Sequence, residues 1–182
     1  MTNDYLIQNL KSRLFAVEET NAYAVLDGAA VPDLLSVLYL YQPECECLYR
    51  GELAPDMAEV APYIVQLEPN HGFTNWLLKN GFAKNWGIFA LSPADLRAMR
   101  LHFRRFLMVY DSENKPLYFR YYDPRVLRIY LPTCNAEELE KVFGPVNSFF
   151  AGAENPDNLL LFNVSSGVLN QEEFIMRKPA IG

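Results

Sequence analysis

The sequence predicts a single α/β domain over residues 1–182, with a mixed β-sheet flanked by helices, either in one piece or in two lobes meeting near Leu91. Three observations predict it. Short apolar runs alternate with amphipathic segments along most of the chain, the alternation expected of an α/β protein. The runs at 106–110 and 117–122 are joined by Asp111-Ser112-Glu113-Asn114-Lys115-Pro116, turn-forming residues that suit an antiparallel hairpin. With 182 residues and 51% hydrophobic composition, the chain is long enough and apolar enough to bury a full core.

Taken in order, strands are expected at 22–26, 45–49, 63–67, 86–91, 106–110, 117–122 and 159–164. Helices are expected at 32–41, 73–79, 93–105, 124–131 and 136–143. A soft boundary falls at 151–158, where Gly, Pro, Asn and Asp cluster and set off residues 151–182 as an extension without an assigned role. No internal repeat, low-complexity tract or long linker interrupts the series.

The helix from Pro93 is the best specified. Ser92 is expected to cap it, Pro93 suits the first turn, and Asp95 supplies a capping-box acid. Leu96, Met99, Phe103 and Phe106 form an apolar stripe, and Arg97, Arg100 and Arg104 repeat the spacing one residue along. These arginines flank the buried stripe as a row of guanidinium groups, either a solvated face or a surface for an acidic partner.

The run Phe119-Arg120-Tyr121-Tyr122-Asp123-Pro124-Arg125-Val126-Leu127 packs charges, aromatics and a proline into a strand-to-helix joint. Asp123-Pro124 fits a helix start. An Arg120–Asp123 or Asp123–Arg125 contact would pin the corner, because a charge buried without a partner costs several kcal/mol. Arg120, Tyr122 and Asp123 are therefore assigned to a structural corner or pocket. Asp27-Gly28 is treated likewise: after a strand, Asp can cap or turn and Gly permits positive φ. Arg97, Arg100, Arg104 and Arg125 are assigned to partner binding.

Net charge is −6 with a pI near 5.0, which argues against a general nucleic-acid binder. The charge is uneven. Residues 1–60 hold ten acids against three bases, while residues 97–128 hold eight of the sixteen bases and three acids, an oriented surface. The N-terminal residues carry no basic segment followed by an apolar run, so a secretory signal is not expected, and no stretch approaches a membrane span. Cys45, Cys47 and Cys134 are odd in number and form no disulfide framework, which points to a reducing, cytoplasmic setting.

Chemistry-bearing motifs are sparse. Neither G-x-G-x-x-G nor G-x-x-x-x-G-K-[ST] occurs, so no phosphate cradle is expected. Cys45-Glu46-Cys47 has no nearby His or second Cys pair to complete a zinc site, and burial of the thiols is the simpler reading. His71 and His102 are the available bases. Neither adjoins a nucleophile elbow, and Ser165-Ser166-Gly167 lacks the leading glycine of one. No catalytic residue, metal or cofactor is assigned, and an enzyme is not expected.

The ordered set Leu26-Asp27-Gly28-Ala29, Ala61-Pro62-Tyr63-Ile64-Val65-Gln66-Leu67, Trp86-Gly87-Ile88-Phe89 with Ser92, Leu101-His102-Phe103-Arg104, the 119–127 run and Phe143-Gly144-Pro145-Val146 resembles the type VI secretion adaptor or effector-chaperone family. These Tap/TEC proteins were first known only as a domain of unknown function. The resemblance covers about residues 22–150. Each motif is weak alone; their order is the specific signal. The resemblance implies a cytoplasmic, non-catalytic loader that binds a toxic protein effector and helps hand it to the VgrG spike, with neither nucleic acid nor membrane as partner. Two rivals remain open: a small hydrolase or transferase using a carboxylate or His102, and an immunity protein whose acidic first third would neutralise a basic toxin.

Overall fold

The computed structural model describes residues 2–110 and 112–177, and the fold is organised around a strand that is apolar on both faces. This strand, β1 (Asn21–Asp27), is buried at every position after Asn21, because strands flank it on both sides and helices cover both faces. Around it the chain runs α1 (Thr2–Leu14), α2 (Leu34–Tyr41), β2 (Cys45–Cys47), α3 (Pro55–Val60), β3 (Pro62–Leu67), α4 (Gly72–Gly81) and β4 (Gly87–Ser92). It continues as α5 (Leu96–Arg104), β5 (Met108–Tyr110), β6 (Pro116–Tyr118), α6 (Pro124–Tyr130), a 3-10 turn (Leu131–Thr133), α7 (Ala136–Phe143), β7 (Ser148–Gly152), β8 (Asn158–Ser165) and β9 (Val168–Ile175).

Seven strands form one sheet in the order β2-β3-β1-β4-β7-β8-β9, and β5 and β6 form a separate hairpin. The α/β class is as expected. The expected mixed sheet is corrected: every pairing described is antiparallel. The reason lies in the crossovers. β1–α2–β2 and β3–α4–β4 each join strands that run the same way, but β3 separates the first pair and β1 the second. Parallel direction is thus present without a parallel hydrogen-bonded pair.

The two sheet faces carry two cores. Tyr23, Val25, Ile64, Ile88 and Ala90 face α5, α6 and α7 through Met99, Phe103, Leu127, Leu139 and Phe143. Ala22, Ala24, Leu26, Val65 and Leu91 face α1, α2 and α4 through Leu6, Leu10, Leu34, Phe73 and Leu77. Alternate residues of one strand feed opposite layers because successive strand side chains point to opposite faces. Leu91 lies inside β4, which pairs with β1 and β7, so the proposed meeting point of two lobes is not a break in the sheet.

Several local expectations change. Helix α1 was not anticipated, yet Leu6, Leu10 and Leu14 recur every four residues and are fully buried, each contributing roughly 2 kcal/mol. The guanidinium of Arg13 lies 3.6 Å over the Phe174 ring, tying α1 to β9. Helix α3 and strands β7 and β9 are likewise additional, and the boundary expected at 151–158 spans the end of β7, the turn at 153–157 and the first residue of β8, with no break in the sheet. Ser92 does not cap α5. Its hydroxyl donates to the Pro145 carbonyl at 2.6 Å, and Asp95 caps the helix by accepting from the Ala98 amide at 2.8 Å. The β5–β6 hairpin is shorter than expected, because the chain turns at Arg120 and sends Tyr121 and Tyr122 into the core. Asp111, placed in the hairpin turn, lies outside the described residues, as do residues 178–182 of the C-terminal extension.

Candidate functional site

Strand β1 ends at Asp27, and the bend that follows is held by its own backbone and side chain. The Asp27 carbonyl accepts from Ala30 and Val31, and its carboxylate accepts from the Ala29 amide at 3.1 Å. Gly28 does not adopt the positive φ expected of it; space is the constraint. The Gly28 amide donates to the Ala61 carbonyl at 3.1 Å, and an added Cβ would press on that oxygen and lie 2.6 Å from the Glu59 carbonyl oxygen. The close approach fixes the end of α3 against the end of β1.

At this bend the structure brings together Asp27 and Arg120. The second carboxylate oxygen of Asp27 accepts from an Arg120 terminal nitrogen, with the carboxylate 3% exposed and the guanidinium 48%. Of the two side-chain contacts expected to pin the corner, Asp123–Arg125 forms and Arg120–Asp123 does not: Arg120 reaches Asp27 instead, while a backbone bond from the Asp123 amide to the Arg120 carbonyl at 3.0 Å makes the turn. Tyr122 lies beside the pair. Burial, and then the Asp27 charge, push its phenol well above the usual range, so it stays a neutral neighbour. Burial, followed by the neighbouring Tyr118 and Asp27, also raises Tyr49.

Asp123 does what the sequence predicts of it. Its carboxylate caps α6 by accepting from the Arg125 amide at 2.9 Å and grips the Arg125 side chain at 2.7 to 3.2 Å. Burial opposes the charged form, but the Arg125 hydrogen bonds outweigh it and hold the Asp123 carboxyl below its usual range. The corner thus has two parallel ties, Asp27–Arg120 to the central strand and Asp123–Arg125 within the helix start.

The arginine row of α5 has a more specific environment than a solvated face. Ladder bonds between β2 and β3 involve Glu44 and Leu48, so the carbonyls of Cys47 and Tyr49 fall on the open side of the sheet. Arg104 fills that side. It donates to Cys47 at 3.1 Å and Tyr49 at 2.6 Å there and also reaches the Leu48 carbonyl past the strand end at 3.0 Å, and Arg100 adds a longer bond to Cys47 at 3.4 Å and an ion pair with Glu46 at 3.3 Å. Two side chains from a crossing helix thereby occupy acceptors that another strand would otherwise use. Arg97 is exposed and no partner is described for it; Arg125 is exposed and paired with Asp123.

Beyond Arg104 opens a groove of about 590 Å³ between the segment after β2, the end of α5 and the β5–β6 hairpin. Its walls are apolar and aromatic, with Leu53, Met57 and Met108 beside Tyr49, Tyr110 and Tyr118, and its cations are Arg50, Arg104 and Arg105. Tyr49 and Tyr118 pack at 6.0 Å between centroids, joining hairpin to sheet edge. Arg50, Arg105 and Met57 were not singled out from sequence. They come together only through the crossing of α5 over β2, and their local spacing carries no signal of it.

The two histidines have structural partners. His71 caps α4, its Nδ1 accepting from the Phe73 amide at 3.2 Å. His102 is buried with Nε2 2.8 Å from the Val142 carbonyl, and burial lowers its pKa. Cys45, Cys47 and Cys134 are free thiols, and no group of metal-binding side chains gathers among the described residues. Ser166 and Gly167 form the tight turn between β8 and β9, both with positive φ. No helix among the described residues is long and apolar enough to cross a membrane.

The family model described as a domain of unknown function (DUF4123) matches residues 22–141, well over half of the chain and including β1, the arginine row, the groove and the 119–127 corner. No curated protein and no solved structure matches the chain.

Proposed function

This chain belongs to the DUF4123 family, and from that premise we propose that it is a cytoplasmic, non-catalytic adaptor that binds a type VI secretion effector and helps load it onto the VgrG spike. The observation that carries the reading is the overlap between the matched region and the ordered motifs. Residues 22–141 contain the Leu26-Asp27-Gly28 turn and the full Phe119-to-Leu127 run that resemble the effector-chaperone proteins. The geometry supports a binding role over turnover: the polar groups of the corner are used in ion pairs and caps, while a groove and an aromatic hairpin are left at the surface.

The test is a tagged pull-down from the native bacterium with mass-spectrometric identification, paired with a secretion assay in a strain lacking the chain. The adaptor reading expects a toxin-like protein and a VgrG spike in the eluate, and loss of that toxin from the secreted fraction when the chain is deleted. Secretion unchanged by deletion would overturn it. Suppression of toxicity by the chain alone, in a cell expressing the toxin, would favour an immunity protein instead. Charge reversal at Arg97 and Arg100 is expected to weaken recovery of the effector.

A further inference from the structure

The groove beside the hairpin combines a cluster of cations with an exposed apolar and aromatic wall. Three guanidinium groups, those of Arg50, Arg104 and Arg105, line it with no Asp or Glu among the lining residues, although the protein carries a net charge of −6. Arg104 is fixed by three backbone carbonyls, which orient it without cancelling its charge. Burial, followed by the like charge of Arg100, lowers its pKa, with Arg50 adding to the effect and Cys47 and Glu46 opposing it. Beside them, Met57, Met108, Tyr110 and Tyr118 stay exposed, with Met108 at 40% and Tyr110 at 68%. Alternate residues of β5 and β6 supply this wall, so one pleated face of the hairpin presents the apolar and aromatic side chains.

We infer that this groove seats an extended acidic segment of the bound protein, its carboxylates meeting Arg50 and Arg105 and an apolar or aromatic side chain lodging among Leu53, Met57 and Met108. The inference rests on the adaptor reading for the source of that segment. It is argued from charge complementarity and from the shape and lining of the groove. Arginine forks recognise carboxylates in pairs, and an aromatic wall gives area at small cost in side-chain entropy. A strand of the partner does not add to β2 along this stretch, because Arg100 and Arg104 already occupy the Cys47 and Tyr49 carbonyls. Side-chain capture in the groove, outside the sheet, is the recognition mode.

The test uses a fluorescein-labelled peptide of about twelve residues alternating Glu with Leu and Phe, and a counterpart with Lys at each Glu position, titrated against the full chain and followed by anisotropy. The acidic peptide is expected to bind at least roughly tenfold more tightly than its Lys counterpart, and to weaken when salt rises from about 0.05 to about 0.5 M. The R50E/R105E variant, which leaves Arg104 in place, is expected to lose that preference with its melting temperature unchanged. Equal binding of the two peptides, or an undiminished preference in R50E/R105E, overturns the inference. A second arm co-expresses the chain with a toxin that the type VI apparatus of the native bacterium secretes. If wild type and R50E/R105E recover that effector equally, the groove inference falls and the adaptor reading stands. If neither recovers it while the peptide preference holds, the adaptor reading falls and the acidic-segment site stands.

Discussion

Asp27, at the end of the central strand, is joined by its buried carboxylate to Arg120, 93 residues later, so that the entry to α6 is anchored on β1. Removing the arginine leaves a carboxylate in the interior without its cation, while removing the carboxylate leaves a guanidinium that water can still reach. The costs should therefore differ. Arg120→Ala is expected to lower stability by about 1 to 3 kcal/mol, the usual penalty for an orphaned buried charge reduced by the exposure of this guanidinium. Urea unfolding of Arg120→Ala, Asp27→Ala and the double variant checks it: a double variant as unstable as the sum of the two singles would show that the pair is not coupled.

His102 makes stability depend on pH near neutrality. Burial lowers its folded-state pKa, so the unfolded chain binds the proton more readily. Its contribution is complete above the unfolded value of about 6.5 and is lost as pH falls from there through the folded value. Melting temperature should thus decline as pH drops below about 6.5, and His102→Gln should flatten that part of the profile. An unchanged slope in the variant would assign the decline to other groups.

Gly28 is expected to tolerate no side chain. A Cβ there would press on two carbonyl oxygens at the end of α3, neither of which is the free tip of a flexible side chain. Gly28→Ala should cost about 1 to 3 kcal/mol, the range for overpacking a closed site, and hydrogen exchange should show the loss first at the α3–β3 junction. Stability equal to wild type would mean the two segments separate cheaply.

Arg104 is expected to guard the sheet edge against self-association. Arg104→Ala frees the carbonyl of Tyr49 and leaves that of Cys47 only its longer bond from Arg100, and light scattering at rising concentration should detect larger species than the parent gives. Arg104→Lys should rescue only partly, because a single ammonium cannot reproduce a fork that reaches three acceptors. Scattering equal to the parent's in both variants would show that the edge is protected by other means.

Much of the fold was legible because the pattern was local. The strands at 22–26, 63–67 and 86–91 are apolar runs bounded by turn residues, and α6 and α7 begin at Asp123 and Asn135, whose side chains cap the helices they start. What was not legible depended on partners distant in the chain. Helix α1 has a weak polar-to-apolar contrast, and its three leucines acquire meaning only when α4 and β9 supply the other wall. The antiparallel sheet was hidden because a helix between two strands reports their relative direction and not what is inserted between them. At the corner, Asp27, Arg120, Tyr122 and Asp123 were each visible as charged or aromatic residues at turns. The choice of Asp27 over Asp123 as the partner of Arg120 required the third dimension. The α5 arginines were visible as a row, but their carbonyl acceptors on a crossing strand leave no periodic trace.

The position of β1 also governs the order in which the protein can assemble as it is made. Its two sheet neighbours are β3 and β4, which emerge later in synthesis, and β4 is complete only at Ser92. Until then this strand, buried from Ala22 to Asp27 in the folded protein, has at most one companion. Its anchor at Arg120 lies later still, so the first strand synthesised is among the last whose surroundings are finished. A nascent chain stalled before Ser92 would leave one edge of residues 22–27 without its β4 neighbour, an exposed strand edge of the kind that makes incomplete chains prone to aggregate.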